Sequence, residues 1–305
     1  MLKTLTLESP RRHVPPGLGM TAEVAEDRRV SEPAAPPPIT ADEALRNNWL
    51  EIWYQPKIDL KRKCLAGAEA LARIRHPQEG LSQPDSVLPR NDDDGFALLT
   101  EHALLTTLRN WSVFDDAGFN LHLAIDVPAG ALSKLPIAQL VAENRPQAPH
   151  WPGLILEITE DQIVRDIQVA QAIAPELKAV GVSLTIDDFG AGYSSFSSLR
   201  ALPFGELKVG STFVKDCATD ATNAAICQTA IDLAHRFGGT AVAEGIGSMA
   251  DLQALLVMGC DFGQGMLVAP PMPRERFLEL LRQRKSKPAP QKAAPTNEMP
   301  PAVAG

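Results

Sequence analysis

Residues 182–192 read VSLTIDDFGAG, in which a short apolar run, residues 182–186, ends directly on the adjacent acids Asp187 and Asp188. Other apolar runs end the same way, on a single acid. These are residues 121–125 before Asp126, residues 154–156 before Glu157, and residues 241–243 before Glu244. Two more runs contain Glu69 (residues 65–71) and Lys208 (residues 207–209). Apolar runs of this length, bounded by polar residues and glycine, are typical of buried strands.

Amphipathic segments separate these runs. Helices are predicted over residues 96–111, 163–180, 220–237 and 249–258, with a closing helix whose first turn holds Pro273. Ser248 is a predicted N-cap, and Gly238 and Gly259 are predicted C-terminal stops. Pro175 predicts a kink or restart within the second helix. Alternating strands and helices indicate a βα-repeating α/β fold.

The acids that follow the strands indicate a metal site. In a parallel barrel the carboxyl ends of the strands meet on one face, which would bring six carboxylates and Lys208 together. Their formal charge is −6 + 1 = −5, and two divalent ions would bring it to −1. Oxygen ligands favour Mg²⁺, Mn²⁺ or Ca²⁺, and paired ions commonly hydrolyse phosphodiesters. The alternative is that each acid only caps the helix that follows it.

Proline marks the ends of the predicted domain. Residues 1–40 and 286–305 hold 12 of the 26 prolines and lack a periodic apolar pattern. We therefore predict a disordered proline-rich N-terminal tail over 1–40, one folded domain over 41–285, and a disordered C-terminal tail over 286–305. The tails could also carry a docking segment for a protein partner.

Composition excludes several classes of protein. The net charge of −8 argues against duplex nucleic acid as the main partner. The first residues lack the apolar segment of a signal peptide, and no apolar run is long enough to span a membrane, so a cytoplasmic location is expected. The four cysteines form no CxxC pair, which argues against a disulfide framework or a thiolate zinc site. The six histidines show no metal-binding spacing, which argues against a histidine-based metal site.

Taken together, the motifs resemble those of the EAL domains, which hydrolyse or sense cyclic di-GMP, across nearly all of residues 49–283. The resemblance implies a (β/α)8 TIM-type barrel. The stretches that carry it are WYQPKIDL (53–60), GAEALAR (67–73), LEITE (156–160), IDDFGAGYSS (186–195), LPFGELK (202–208), AEGI (243–246) and GCDFGQG (259–265).

The resemblance assigns roles to individual residues. Glu69, Asp126, Glu157 and Asp187 would bind one metal ion, and Asp187, Asp188 and Glu244 the second. Lys208 would position and activate the attacking water, with Gln264 supporting the same site. The catalytic candidates are therefore Glu69, Asp188, Lys208, Glu244 and Gln264. Gln55, Leu71 and Arg73 would bind the ligand, since a guanidinium suits phosphate. Residues 187–195 would form a loop linking dimer contacts to the metals, with Tyr193 at its tip.

Three positions depart from the family pattern. The family has Asn at Asp126, Asp at Gly210 and Glu at Gly247. Asp126 can still bind a metal ion, with extra negative charge. Gly210 removes a carboxylate near the predicted metals, and Gly247 removes an anchor of the 187–195 loop. Because the other residues assigned by the resemblance are present, the two glycines are expected to affect the rate of turnover more than ligand binding.

The sequence therefore predicts a phosphodiesterase that uses two Mg²⁺ or Mn²⁺ ions to open cyclic di-GMP to linear pGpG. A homodimer is expected by analogy with the family. The alternative is a weak or inactive domain that serves as a cyclic di-GMP receptor or protein-interaction module. A glycosidase built on a carboxylate barrel would leave Lys208 and the acid pair Asp187 and Asp188 unexplained.

Overall fold

The computed structural model describes residues 38–78, 80–89, 92–190 and 202–286. The strands are β1 Leu50–Asp59, β2 Cys64–His76, β3 Gly80–Ser82, β4 His122–Asp126, β5 Leu154–Thr159, β6 Val182–Phe189, β7 Glu206–Val209, β8 Thr240–Ala243, β9 Phe262–Gly263 and β10 Met272–Pro273. The helices are α1 Ala41–Arg46, α2 Pro84–Val87, α3 Asp93–Asp116, α4 Ala129–Lys134, α5 Ile137–Asn144, α6 Glu160–Ala179, α7 Ser211–Val214, α8 Ala221–Arg236, α9 Met249–Met258 and α10 Arg274–Ser286.

Eight strands close into a barrel, which confirms the predicted fold. Their order around the barrel is β1, β2, β4, β5, β6, β7, β8 and β9, and β9 pairs with β1 to complete the ring. Each neighbouring pair from β2 round to β9 is parallel, whereas β1 is antiparallel to both β2 and β9. The strands β1 and β2 are joined by residues 60–63, and so short a hairpin connection can only produce antiparallel neighbours.

The helices follow the sequence pattern with differences at their ends. α3 extends the predicted 96–111 helix in both directions, with Asp92 as its N-cap. α6 continues without interruption through Pro175, where a kink or restart was predicted, at the cost of one main-chain hydrogen bond. Pro273 pairs with Trp53 in β10 and immediately precedes α10, rather than lying within its first turn. Ser248 caps α9, and Gly259 ends it in a left-handed conformation with φ of 88°.

Two cores support the ring of strands. Outside it, Tyr54 packs between Phe114 and Phe277, with ring centroids 5.0 and 5.7 Å away, and its hydroxyl accepts a hydrogen bond from Asn110. Inside the barrel, at the amino ends of the parallel strands, Lys57 donates to both carboxylate oxygens of Glu206, at 2.6 and 2.9 Å. This buried ion pair fills one end of the barrel, so that the predicted site has only the other end available.

The domain boundary predicted at residue 41 leads to a first experiment. Ile39 is buried and its N–H donates to the Val87 carbonyl, while the Thr40 side chain caps α1. We expect a truncated protein of residues 38–286 to unfold cooperatively, at a temperature close to that of the full chain. Calorimetry of both proteins checks this, and a broad or absent transition after truncation would contradict it. Residues 1–37 and 287–305, which hold most of both predicted tails, lie outside the described residues.

In the described part of the chain, none of the helices combines the length and the apolar character required to cross a bilayer.

Candidate functional site

The acids predicted from strand ends meet at the carboxyl end of the barrel. They form two groups of three, and within each group the candidate ligand oxygens lie within 4.8 Å of one another. The first group is Glu69, Asp126 and Glu157, and the second is Asp187, Asp188 and Glu244. Strand register explains the first group, because Glu69 lies beside Ala124 in β4, and Asp126 lies beside Glu157 in β5. Parallel pairing thus places side chains from separate strands at similar heights in the barrel.

A local irregularity in β6 turns two consecutive acids toward the same site. Successive side chains of a regular strand point to opposite faces, so Asp187 and Asp188 would normally diverge. Here the pairing of β6 with β7 shifts between Ile186 and Phe189, and Asp188 adopts a left-handed conformation with φ of 52°. The Asp188 N–H donates to the Asp187 carboxylate at 2.8 Å. A strained backbone of this kind costs on the order of 1–3 kcal/mol and is characteristic of functional sites.

Lys208 lies between the two groups of acids. Its side chain is 1% exposed. The ammonium is 2.7 Å from Glu157 in the first group and 2.6 Å from Glu244 in the second. It also lies 3.4 Å from Glu69 and 3.3 Å from Asp187. One positive charge therefore contacts four of the six carboxylates, and the cluster keeps a large negative charge.

Gln264 joins the two groups from the other side. The buried Gln264 amide donates to Glu69 in a short hydrogen bond, and also to Glu244 at 3.1 Å. Gln264 directly follows β9, and its main-chain N–H donates to the Ala243 carbonyl at the end of β8. A neutral amide can donate two hydrogen bonds to carboxylates without adding charge, so Gln264 orients both acids.

The shifted pKa values show that it costs free energy to hold these carboxylates together in their charged form. Burial, reinforced by neighbouring carboxylates and opposed by Lys208, raises the pKa of Glu244 to about 8 and that of Glu157 well above its ordinary value. Part of Asp126 still reaches solvent at the rim, but desolvation of its carboxylate and repulsion from Glu69 raise its pKa to about 7. Burial opposes the charge on Lys208, yet Glu157 and the other acids outweigh it and raise the lysine pKa. Without further cations, the cluster retains protons near neutral pH.

The predicted ligand-binding residues lie on the wall formed by β1 and β2. Gln55 is the cross-strand partner of Glu69 and donates to the Ala269 carbonyl at 3.2 Å. Leu71 lies one pleat further along β2 and is half-buried. Arg73 follows it, and its guanidinium donates to the neighbouring Ala72 carbonyl at 2.9 Å. Among the described residues Arg73 has no carboxylate within ion-pair distance, so most of its donors remain available.

The two glycines that depart from the family pattern differ in their surroundings. Gly210 has φ of −60° and ψ of 147°, which any residue can adopt, and it is the N-cap of α7. A Cβ atom there would lie 3.3 Å from Oδ1 of Asp188, a close but adjustable contact. A Cβ atom at Gly247 would have open space around it, with the Gly245 carbonyl 3.8 Å away. Both positions therefore have backbones that accept a side chain.

Glu160 belongs to the site although the sequence analysis gave it no role. It is buried at the start of α6, and its carboxylate accepts a hydrogen bond from the Gly190 N–H at 2.9 Å. Gly190 follows the acid pair of β6, so Glu160 holds the backbone where the predicted 187–195 loop begins. The LEITE stretch contains Glu160, but only the tertiary fold shows its partner. Tyr193 and the rest of that loop, residues 191–195, lie outside the described residues.

The donor set fits hard divalent cations. Both groups supply only carboxylate oxygens, with neither histidine nor cysteine among these six described ligands. Three carboxylates within 4.8 Å of one another repel unless protons or cations neutralise them. Mg²⁺ and Mn²⁺ prefer such oxygen ligands. The helix-capping alternative does not explain why acids from four strands contact one buried lysine.

We expect Mg²⁺ or Mn²⁺ to raise the melting temperature, because the ions bind the folded carboxylates and not the dispersed ones of the unfolded chain. Glu157→Gln should reduce this shift by removing a ligand. Glu206→Gln is the matched control, since it alters a partly buried carboxylate at the opposite end of the barrel and should leave the metal-induced shift unchanged. Melting curves that superimpose in chelator and in metal would contradict the prediction.

Without metal, we expect the domain to lose stability between about pH 6.5 and about pH 8. The ordinary pKa values are 3.8 for Asp126 and 4.5 for Glu244, and in the folded protein they rise to about 7 and about 8. In this window the folded protein holds protons that the unfolded chain has released, so rising pH lowers the free energy of unfolding. The half-buried His122, whose pKa desolvation lowers below 6.5, has the opposite effect, but only near the lower end of this window, where the unfolded chain still holds part of its histidine protons.

Urea unfolding at the two ends of this pH window, in chelator, measures the effect. Excess Mg²⁺ should reduce the difference, because metal-bound carboxylates have already released their protons. A metal-free domain that is more stable at the higher pH would contradict the prediction.

Comparisons with known proteins agree with this geometry. The family model described as "EAL domain" matches residues 40–271. The chain is 34% identical over 239 residues to the Pseudomonas aeruginosa protein named bifunctional diguanylate cyclase/cyclic di-GMP phosphodiesterase MucR, covering 77% of this chain and 35% of that one. It is 31% identical over 256 residues to the cyclic di-GMP phosphodiesterase RocR of the same organism, covering 79% of this chain and 63% of that one.

Solved structures give the same result. A structure titled as the PaMucR phosphodiesterase in complex with c-di-GMP superposes with a TM-score of 0.69 at 33% identity, covering 77% of this chain and 97% of that one. The EAL domain of Mycobacterium smegmatis DcpA superposes with a TM-score of 0.64 at 29% identity, with the same coverage of 77% and 97%. The chain spans between a third and two thirds of the length of MucR and RocR. From its barrel, its acidic cluster and these relatives, the chain belongs to the EAL domain family.

Proposed function

We propose that this domain hydrolyses cyclic di-GMP to the linear dinucleotide pGpG with the help of two Mg²⁺ or Mn²⁺ ions. The observation that supports this most strongly is a buried lysine that contacts carboxylates of both acidic groups. A phosphodiester brings negative charge to this site, so cations must neutralise the acids before it can bind. Relatives named as cyclic di-GMP phosphodiesterases share the domain.

The proposed reaction adds one water across a phosphodiester. The water oxygen bonds to phosphorus, the bond to the 3′ oxygen breaks, and that oxygen leaves with a proton. When bound, divalent cations lower the pKa of water and neutralise charge on phosphate oxygens. The first group of acids would hold one cation together with Asp187, and the second group would hold the other.

The chain's own side chains have separate parts in this reaction. Lys208 donates hydrogen bonds that orient the attacking water, and Glu244 beside it is an acceptor for hydrogen bonds from the same water. Gln264 fixes Glu69 and Glu244 relative to each other. Arg73, whose donors are largely free, would bind a phosphate oxygen through two parallel hydrogen bonds. Gln55 and Leu71 complete the wall beside it.

Nucleotide chromatography tests the proposal. Purified protein is incubated with cyclic di-GMP and Mg²⁺ or Mn²⁺, and the appearance of pGpG is followed over time. We expect product only with metal and none in chelator. A protein that neither binds nor hydrolyses cyclic di-GMP in any metal would overturn the proposal.

A cyclic di-GMP receptor is the second candidate, and Gly210 and Gly247 favour it. At these two positions the site lacks carboxylates that the family pattern has, while the candidate ligand-binding residues remain. Metal-dependent binding without product in the same assay would identify the receptor. The homodimer, whose predicted loop ends at residue 195, and a protein partner for the tails stay predictions. Measurements of molecular size with and without ligand test the homodimer.

A further inference from the structure

Helix α9 is apolar on its outer side as well as on its inner side. Eight of its ten residues, in the sequence MADLQALLVM, are apolar. Leu255 on the inner side is fully buried, whereas Val257 is 89% exposed and Met249 is 56% exposed. Surface helices normally carry charged residues on their outer side, and a helix that is apolar all round is normally covered on both sides. The outer side of α9 is therefore expected to bind a partner.

The one charged residue of α9 does not reach this outer side. Asp251 is buried at the start of the helix, where its carboxylate accepts hydrogen bonds from the Ser248 hydroxyl at 2.6 Å and from the Ala218 N–H at 3.1 Å. The outer stripe follows the spacing i, i+3, i+4, i+7, i+8 and holds Met249, Leu252, Gln253, Leu256 and Val257. These five side chains carry no charge.

An apolar groove of about 420 Å³ runs along this stripe. One wall is formed by α9, and the opposite wall consists of Ile58, Leu60, Leu267 and Val268. Met266, next to that wall in the chain, is 69% exposed. Asp59 and Lys63 also line the groove, so its lining has one negative and one positive charge and a net charge of zero.

We propose that the stripe and groove of α9 bind the same surface of a second copy of this chain, in a two-fold symmetric pair. A two-fold interface has to be its own complement, because the same residues meet from both sides. Here a ridge that ends in Val257 lies beside a groove, so the ridge of each copy fits the groove of the other. A two-fold axis across α9 also makes the two helices antiparallel, which places opposite ends of their dipoles side by side.

The charge of the chain favours this surface over others for self-association. The whole chain has a net charge of −8, so two copies repel each other through most orientations. The stripe and the groove lining have no net charge, and they meet their own copy without that repulsion. Burial of the exposed apolar side chains then supplies the free energy of association.

This surface is separate from the 187–195 loop, through which a homodimer is expected by analogy with the family. The loop begins at the end of β6, whereas α9 follows β8, two strands further round the barrel. A chain that used both surfaces would form tetramers. The inference does not depend on the proposed function, because it involves neither the metal ions nor the nucleotide.

Analytical ultracentrifugation of the full chain over a range of concentrations tests the pairing. Val257→Glu would bury a carboxylate in the groove of the other copy twice in each pair, and it leaves the core intact because Val257 is exposed. We expect this variant to raise the dissociation constant of the pair at least about tenfold, or about 1.4 kcal/mol. Val113→Glu is the matched control, since it makes the same change at an exposed valine of α3, and it should associate like the parent protein.

A mixing experiment tests whether ridge and groove of different copies meet. Leu267→Lys, on the groove wall, should weaken self-association as Val257→Glu does. An equal mixture of the two variants should associate more tightly than either variant alone, because the new glutamate of one copy then meets the new lysine of the other. Melting temperatures of both variants confirm that each is folded.

Three results would overturn the proposal. The first is a parent protein that remains a single copy at every concentration; if the truncated protein of residues 38–286 then associates, one of the removed tails occupies the groove instead. The second is Val257→Glu that associates as tightly as the parent protein, which would assign association to another surface such as the 187–195 loop. The third is an equal loss in Val257→Glu and Val113→Glu, which would show a general effect of added charge.

Discussion

Replacing Lys208 with methionine is expected to lower the rate of cyclic di-GMP hydrolysis by at least about 100-fold, a typical loss for a residue that handles the reacting proton or water. Methionine keeps most of the side-chain volume but removes the ammonium that contacts Glu157 and Glu244. Binding should fall much less, since Arg73 and the walls of the cleft also hold the nucleotide. Hydrolysis by chromatography and binding by calorimetry are measured on the same preparation.

Lys57→Met is the matched control for this experiment. Lys57 is also buried, at 3% exposure, and its partner Glu206 lies at the opposite end of the barrel. Breaking a buried ion pair costs about 3–5 kcal/mol of stability, so both variants should melt at lower temperature. Only Lys208→Met should lose hydrolysis out of proportion to stability. Glu69→Gln should resemble Lys208→Met, and unchanged hydrolysis in both would remove the proposed mechanism.

The second large effect is a gain, from Gly210→Asp combined with Gly247→Glu. The new aspartate would place a carboxylate beside Asp188, near Lys208 and the two groups of acids. We expect hydrolysis to rise at least about tenfold, which corresponds to about 1.4 kcal/mol off the barrier. The backbone at Gly210 suits aspartate, a favoured N-cap residue, and the surroundings of Gly247 are open. Initial rates at saturating Mg²⁺ measure the change.

Gly210→Ala distinguishes the effect of the new carboxylate from the effect of the added Cβ atom. Its Cβ would make the same 3.3 Å contact with Asp188, but it brings no charge. A gain in the aspartate variant alone assigns the effect to the carboxylate. A folded, metal-binding double variant with no gain would show that these positions do not limit turnover. If the parent protein is then also inactive, the receptor function is favoured over the phosphodiesterase function.

The sequence predicted much of the site because strand ends are local features. Asp126, Glu157 and Glu244 follow apolar runs directly, and parallel pairing brings such positions together without further information. The antiparallel direction of β1 was not predicted, because the pattern of apolar residues in a strand does not depend on the direction in which the strand runs. Asp188 turns toward Asp187 only through the shifted pairing of β6 with β7. The partner of Glu160 lies 30 residues away, beyond the reach of any local pattern.

A cavity between β2 and the first turns of α3, which Asp126 lines, shows a second limit. Its existence depends on the distance between α3 and β2, which is set by the packing of the whole helix and not by any motif. Small residues such as Ala70 and Ala72 read in the sequence as ordinary strand positions. Phe96 is the first residue of the predicted helix 96–111, and only the structure shows that it is half-buried and lines the cavity.

The pairing of β1 with β9 has a consequence for how this protein forms during synthesis. It joins Ile58 to Gly263, so the ring of strands closes only when nearly the entire domain has left the ribosome. Contacts between such distant residues carry a high entropic cost and form late. A nascent chain stalled before β8 therefore holds Glu69 without its neighbours Glu244 and Gln264, and the second group of acids without Glu244. The acidic cluster is therefore completed in one late step, after the last strand of the ring has been synthesised.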